Sequence, residues 1–270
     1  AKLGKAAEKA LARHVVAVTG SGSGIGRATA EAFARLGAEV AVLDRDMDAA
    51  RQVAGSIGGL AVPCDVTRQS SVERAFARVV RSFGGLDMLV SDAGATWQGR
   101  IGEVDEQILR DSFELNFWGH QRCAQAAVAI MKAQGTGGAL LFNTSKQAVN
   151  PGLDFGPYGL PKASTLFLSR QYALDHGGDG IRSNAVNADR IRSGLLTDEM
   201  ISTRSSARGL SEADYMAGNL LGRAVTADEV AQAFIALAIS REATGGGLTV
   251  GRAHVRAGVA SSTIKTPSPV

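Results

Sequence analysis

Ser145, Tyr158 and Lys162 follow one another at intervals of thirteen and four residues. On a helix, Tyr158 and Lys162 share one face, which brings an ammonium beside a phenol. A phenol with a pKa near ~10 is a poor base at neutral pH. A neighbouring cation stabilises the phenolate, so such a pair could carry a proton to and from a substrate oxygen. Ser145 follows the apolar run Ala139–Asn143 and could hydrogen-bond the same oxygen. Taken alone, a Tyr-x-x-x-Lys spacing is also what an ordinary amphipathic helix offers.

A second cluster lies near the N-terminus, in Thr19-Gly20-Ser21-Gly22-Ser23-Gly24-Ile25-Gly26. Glycines let a backbone turn sharply and approach a pyrophosphate, while the helix that follows offers free N–H groups. Gly20, Ser23, Gly24, Ile25 and Gly26 are therefore candidate cofactor contacts. Asp44 comes 24 residues after Gly20, at the end of the next apolar run, and is placed to bind a ribose 2′-hydroxyl. A carboxylate there repels a 2′-phosphate, so NAD is expected and NADP is the less favoured alternative. Arg45 supports that alternative, since a guanidinium could accept the phosphate. No Gly-Lys-Ser/Thr follows the loop, which excludes a Walker P-loop.

These residues need elements to hold them. Short runs apolar on both faces recur at His14–Val18, Glu39–Leu43, Leu60–Cys64, Leu86–Val90, Ala139–Asn143, Ile181–Val186 and Leu248–Val250. Between them lie stretches of helical period, including Ile25–Leu36, Ser70–Ser82, Asp105–Lys132, Lys162–Asp175 and Asp228–Ser240. Strand and helix alternating at this spacing predict an α/β fold: a doubly wound, seven-stranded parallel sheet with helices on both faces. One domain over residues 14–260 is expected, with 1–13 as a helix or linker and 261–270 as a flexible tail. The Gly- and Ser-rich segment 193–222 is expected to form a mobile substrate lid. Pro161 sits between Tyr158 and Lys162, where a helix-interior proline loses a hydrogen bond. It is tolerable if the helix begins between Pro157 and Leu160.

With both clusters in view, the chain resembles the short-chain dehydrogenase/reductase family from about Val15 to Val250. The likeness rests on the glycine loop, Asp65, Ser91-Asp92-Ala93-Gly94, Asn116 in Leu115-Asn116-Phe117-Trp118-Gly119, and Ser145, Tyr158 and Lys162 in order. It implies a Rossmann-fold enzyme, a homodimer or homotetramer, moving hydride between a nicotinamide and a hydroxyl/carbonyl pair. It further implies that Asp65 and Val66 lie at the adenine, and that Ala93, Gly94, Tyr158 and Lys162 touch the cofactor. Ser193 stands where a threonine often contacts the carboxamide, and Asn116 would hold a water in a proton relay through Lys162. The chain departs from the family pattern at Asp92, where an Asn is usual, at Asn187-Ala188-Asp189, where Asn-Pro-Gly is usual, and at Val250-Gly251-Arg252-Ala253. Thr144–Ala148, Asn187–Asp189 and Ala217–Arg223 are similar to the dehydrogenase half of bifunctional class II aldolase/short-chain dehydrogenase proteins. A chain that opens on Ala1 would suit a piece of such a fusion.

Composition narrows the classes further. Of 270 residues, 45% are apolar and 20% charged, and no apolar run is long enough for a transmembrane helix. The 29 Lys and Arg against 26 Asp and Glu are dispersed, unlike a nucleic-acid footprint. No signal-peptide pattern opens the chain, so a cytoplasmic protein is expected. Cys64 and Cys123 are too few for a disulfide framework, and His14, His120, His176 and His254 lack metal-ligand spacing, so no metal is expected. The expected partner is a small-molecule substrate: a hydroxy-aldehyde, sugar or sugar-phosphate derivative. Lys146, Arg190 and Arg192 flank the predicted catalytic strands. Arg204 and Arg208 read first as solvated surface, and otherwise as a clamp closing on phosphate or carboxylate. Trp97 and Trp118 are candidates for pocket wall or core. Two other readings stay open: a cofactor-binding regulatory protein with little turnover, and an NADP-dependent carbonyl reductase.

Overall fold

The apolar runs become strands because both of their faces are covered. In β1 (Val15–Thr19), Val16 and Val18 enter one hydrophobic layer while Val15 and Ala17 enter the other. β2 (Glu39–Asp44) repeats the alternation, with Val40 and Val42 on one side and Ala41 and Leu43 on the opposite side. A computed structural model describes residues 10–192 and 196–251. In it β3 (Leu60–Pro63), β4 (Met88–Ser91), β5 (Gly138–Ser145), β6 (Ile181–Ala188) and β7 (Gly247–Val250) complete a seven-stranded sheet in the order β3-β2-β1-β4-β5-β6-β7. Every strand pair is parallel. The predicted doubly wound sheet is thus the observed one.

Helices cover both faces. α1 (Gly24–Arg35), α2 (Met47–Ile57) and α9 (Ala227–Ile239) bury Phe33, Val53 and Phe234 in one layer. α3 (Gln69–Phe83), α5 (Gly119–Gln134) and α6 (Gly156–His176) bury Phe76, Met131 and Tyr172 in the other. α4 (Glu106–Phe113) runs into α5 through a wide π-helical turn, Glu114–Trp118. Between β6 and α9 lie the short helices α7 (Asp198–Ser206) and α8 (Glu212–Met216). The chain order reverses at β1, which pairs with both β2 and β4, and such a switch point opens a crevice at the carboxyl edge.

Three boundaries differ from expectation in ways that matter to the site. β5 and β6 run on to Ser145 and Ala188, because parallel pairing continues through the polar residues Thr144↔Asn187 and Ser145↔Ala188. The Thr144 hydroxyl donates to the Val186 carbonyl at 3.1 Å, which satisfies that polar extension inside the sheet. α6 begins at Gly156, ahead of the expected window, yet passes Pro161 without breaking. The cost is the one bond that a residue 161 N–H would have made to the Pro157 carbonyl. The stretch expected as one helix over Asp105–Lys132 is interrupted by the π-helical turn. Of the expected N-terminal segment, Ala10–Arg13 form a turn whose Leu11 is buried and bonds backbone to Leu36. The expected tail, 261–270, lies outside the described residues.

Candidate active site

The glycine loop is shaped by close approach. Gly20 and Gly24 adopt φ of +66° and +56°, in the left-handed region that favours glycine. A Cβ on Gly20 would fall 2.8 Å from the Ala93 Cα, and one on Gly26 would fall 2.3 Å from the Gly20 carbonyl oxygen. Ser23 precedes α1 without capping it by its side chain, so the first N–H groups of a twelve-residue helix face the crevice. Anions are stabilised at such an end. Asp44, at the tip of β2, accepts the Gly22 N–H at 2.8 Å and the Asp46 N–H at 3.0 Å. Its carboxylate therefore stands at the loop, where a nucleotide ribose would lie. These residues fit a dinucleotide: a glycine cradle that a Cβ would fill, a helix end that Ser23 leaves without a side-chain cap, and an acid beside them.

Further along the crevice, Asp65 takes the Thr67 N–H and hydroxyl at 3.0 and 2.7 Å, and Arg68 approaches at 3.4 Å. The Thr67 bond, aided by Arg68 and Arg45, holds the Asp65 carboxyl below its ordinary value. Val66 is buried against α5, where a Cβ on Gly119 would come within 2.8 Å of it. Ala93 and Gly94 follow β4, and Thr19 fixes their loop by accepting the N–H groups of Asp92 and Ala93 at 3.0 and 3.1 Å.

Ser145 ends β5, and Tyr158 sits in the first turn of α6 and hydrogen-bonds it. Both line a cavity of about 180 Å³ together with Ile25, Thr96, Asn143 and Ala188. Lys162 lies one turn on, buried, with its Nζ 5.8 Å from the Tyr158 ring centre. It donates to the Asn143 carbonyl at 2.9 Å and meets His120 Nε2 at 3.3 Å. His120 Nδ1 in turn lies 2.7 Å from the Ser91 hydroxyl. Asp92 completes this buried group, accepting the Asn143 amide at 2.5 Å and the Gly26 N–H.

Asn116 belongs to the π-helical turn. Its amide donates to the Ala95 carbonyl at 2.8 Å, its side-chain oxygen accepts the Ala95 N–H at 3.3 Å, and its backbone carbonyl accepts the Thr165 hydroxyl at 2.7 Å. A Cβ on Gly94 would meet both Asn116 Oδ1 and Lys162 Nζ, at 2.8 and 3.3 Å. The turn thus ties the β4 loop to the lysine.

The electrostatics differ from the sequence-based expectation: the phenol is not brought down, because burial outweighs what its neighbours do. Burial pushes Tyr158 up to about 12, against a lowering by its bond to Ser145. Burial also brings Lys162 down to about 8, with Asp92 acting against that fall. The reason is geometric: the ammonium is turned toward the Asn143 carbonyl and shares its charge with Asp92. Burial likewise lowers His120, reinforced by Lys162, so the imidazole is neutral and can accept from the ammonium.

Some expected residues fall elsewhere. Ser193 lies outside the described residues. Trp118 is 48% exposed and stacks edge-on against Phe117, and neither it nor Trp97 lines the cavity. Gly251 is required where it stands, with φ of +70° and the Val225 side chain 2.7 Å from any added Cβ. Asp189 pairs with Lys146 at 3.6 Å. In the sequence His120 reads only as an isolated histidine. Its position four residues after Asn116, on the same helix face, was the available clue.

A family model described as Enoyl-(Acyl carrier protein) reductase matches residues 20–258. The chain is 32% identical over 194 residues to an uncharacterized oxidoreductase, YuxG, of Bacillus subtilis (strain 168). That match covers 69% of this chain and 28% of the relative, so the chain spans little more than a quarter of that protein's length. It is 36% identical over 172 residues to a sorbitol dehydrogenase of Cereibacter sphaeroides, covering 63% of this chain and 67% of that one. A crystal structure of 3-ketoacyl-(acyl-carrier-protein) reductase from Brucella melitensis complexed with NADH superposes with a TM-score of 0.80. It shares 26% identity and covers 88% of this chain and 96% of that one.

The Asp92 carboxyl is raised from 3.8 to about 7, chiefly by burial and against the pull of Lys162. A carboxyl raised on folding stabilises the fold below its unfolded value, and that contribution is lost as the pH rises through the folded value. Asp92→Asn is neutral throughout and keeps an acceptor for Asn143. Its melting temperature should therefore gain on the parent's between about pH 4 and about pH 8. Thermal unfolding at both ends of that window checks this, and a gap that shrinks as the pH rises would refute it.

Proposed function

Because the chain belongs to the short-chain dehydrogenase/reductase family of nicotinamide-dependent oxidoreductases, we propose that it is an NAD-dependent dehydrogenase of a small polar alcohol, with Tyr158 as proton carrier. The observation that carries this reading is the convergence of Ser145 and Tyr158 on one small cavity, with buried Lys162 one helical turn away. Gly20, Ser23, Gly24, Ile25, Gly26, Asp44, Asp65, Val66, Ala93 and Gly94 would hold the cofactor. Its nicotinamide, when bound, supplies the hydride acceptor.

The chain's own residues do the proton work. Ser145 holds the substrate oxygen, and Tyr158 Oη takes the hydroxyl proton as the carbinol C–H is lost. With the phenol near 12, Tyr158 is protonated at neutral pH, which suits donation to a carbonyl in the reverse direction. Lys162 is an ammonium beside the ring, 5.8 Å from its centre. It serves the oxidative direction by stabilising the phenolate, and Asn143, His120 and Asp92 keep it in place. Asn116 fixes the β4 loop against the same lysine. Asp44 favours NAD because its carboxylate, anchored by the Gly22 amide, would face the negative charge of a 2′-phosphate.

A second part of the reading concerns assembly. α6 exposes Leu160, Phe167 and Leu174 at steps of seven residues, and Phe167 and Leu174 are 67% and 78% exposed. Side chains seven apart share a helix face. An apolar row of this kind, joined by Trp118, suits a homo-oligomer packed helix to helix. No described helix is long and apolar enough to cross a membrane.

Tyr158→Phe should reduce turnover at least about a hundredfold while NAD binding stays within a few-fold. Stopped-assay absorbance and calorimetry read the two separately, and full activity in the variant would rule the mechanism out. Asp44→Ala should narrow the preference for NAD over NADP, read as the ratio of the two kcat/KM values. An unchanged ratio would mean that Asp44 does not meet the ribose. The paired change Phe167→Glu with Leu174→Glu should yield a monomer by light scattering at concentrations where the parent is oligomeric.

A further inference from the structure

The cavity that holds Ser145 and Tyr158 is strongly one-signed. Its described lining includes Lys146, Arg190, Arg204 and Arg208, opposed by a single carboxylate, Asp189. Asp189 is committed to Lys146 at 3.6 Å, and both side chains are largely buried. Arg190 donates to the Tyr215 carbonyl and lies over the Tyr215 ring, 4.5 Å from its centre. Arg208 lies over the same ring at 5.5 Å and donates to the Arg204 carbonyl at 3.0 Å.

Arg204 is the odd member. Its guanidinium rests on the Phe155 ring at 4.6 Å, yet its Nη2 is buried without any hydrogen-bond partner. Arginines on a solvated surface have water for every N–H. A guanidinium N–H shielded from water and left unpaired is costly unless a ligand supplies the acceptor. Desolvation and the nearby Arg190 and Arg208 lower the Lys146 ammonium, against the pull of Asp189, which is what crowded like charges do.

We propose that this cluster binds an oxyanion carried by the substrate itself. The dehydrogenase reading above then narrows to short-chain hydroxy or keto compounds bearing a phosphate or carboxylate. Arg204 takes the anion with its free Nη2, and Arg190, Arg208 and Lys146 supply the field around it. The planar guanidinium suits two oxygens of either group. Tyr158 and Arg204 line the same cavity, so one substrate must present its carbinol to the first and its anion to the second. The inference rests on the dehydrogenase reading for the word substrate, while the anion site itself is testable without turnover.

The test is calorimetric binding of glycerol 3-phosphate, glycerate and glycerol to the full chain saturated with NADH, and to Arg204→Met. The parent should bind at least one of the two anions tenfold or more tightly than glycerol, and the better one names the group. Arg204→Met should lose about 10- to 100-fold of that affinity and leave glycerol unchanged. Arg204→Lys should recover part of it through charge alone. Equal binding of anions and glycerol by the parent, or an unaltered Arg204→Met, would overturn the proposal. Should Arg204→Met fail to fold, Lys146→Met in the same lining gives the same comparison. NADH binding and the Tyr158→Phe assay report on the dehydrogenase reading separately. If NADH does not bind, the difference between parent and Arg204→Met, measured without cofactor, still reports the cluster.

Discussion

An ammonium withdrawn from water must be compensated by its surroundings, and Lys162 is such a group. Removing a charge from water costs several kcal/mol by general estimates, so the groups around it are constrained in turn. Its bond to the Asn143 carbonyl fixes α6 against β5. Its contact with His120 fixes α5, and His120 passes the constraint to Ser91 at the end of β4. Asp92 closes the circle by holding both the Asn143 amide and the N-terminal turn of α1. Five elements thus meet around one charge, and the reactive phenol inherits its position from them. Asp92 in place of an asparagine fits this logic, because it adds a carboxylate that acts on the lysine.

The nucleotide end is governed by a different constraint, the absence of side-chain volume. Gly20, Gly22 and Gly26 lie where a Cβ would strike Ala93, Asp44 or the Gly20 carbonyl. The loop is pressed against the β4 loop and the tip of β2, which places the start of α1 and a carboxylate side by side. Packing here does the work that hydrogen bonding does at the lysine.

Much of this could be read from the chain, for identifiable reasons. Val16, Val18, Val40 and Val42 alternate with Val15, Ala17, Ala41 and Leu43, so both layers of the sheet are written in single strands. Ser145, Tyr158 and Lys162 converge as their spacing requires. What periodicity could not show was the π-helical turn at Asn116, because one extra residue in a turn leaves the apolar pattern nearly intact. Nor could it show the direction of the electrostatics. The i, i+4 rule brought lysine and tyrosine together but was silent on where the ammonium points. It points to Asn143, and burial then dominates both groups. Arg204 reads as solvated surface for a similar reason: periodicity does not show that α7 lays it on Phe155 and brings it into the lining of the cavity.

The segment between β6 and α9 has its own small core, in which Leu196, Ile201, Tyr215 and Met216 pack together apart from the two layers flanking the sheet. A segment that buries its apolar groups separately has an opening free energy of its own, below that of the whole fold. Here that energy is set by these side chains together with the contacts that tie them to the rest, Arg190 on Tyr215 and Arg204 on Phe155. A change at Ile201 acts first on this local opening, before it reaches the two layers that carry the sheet.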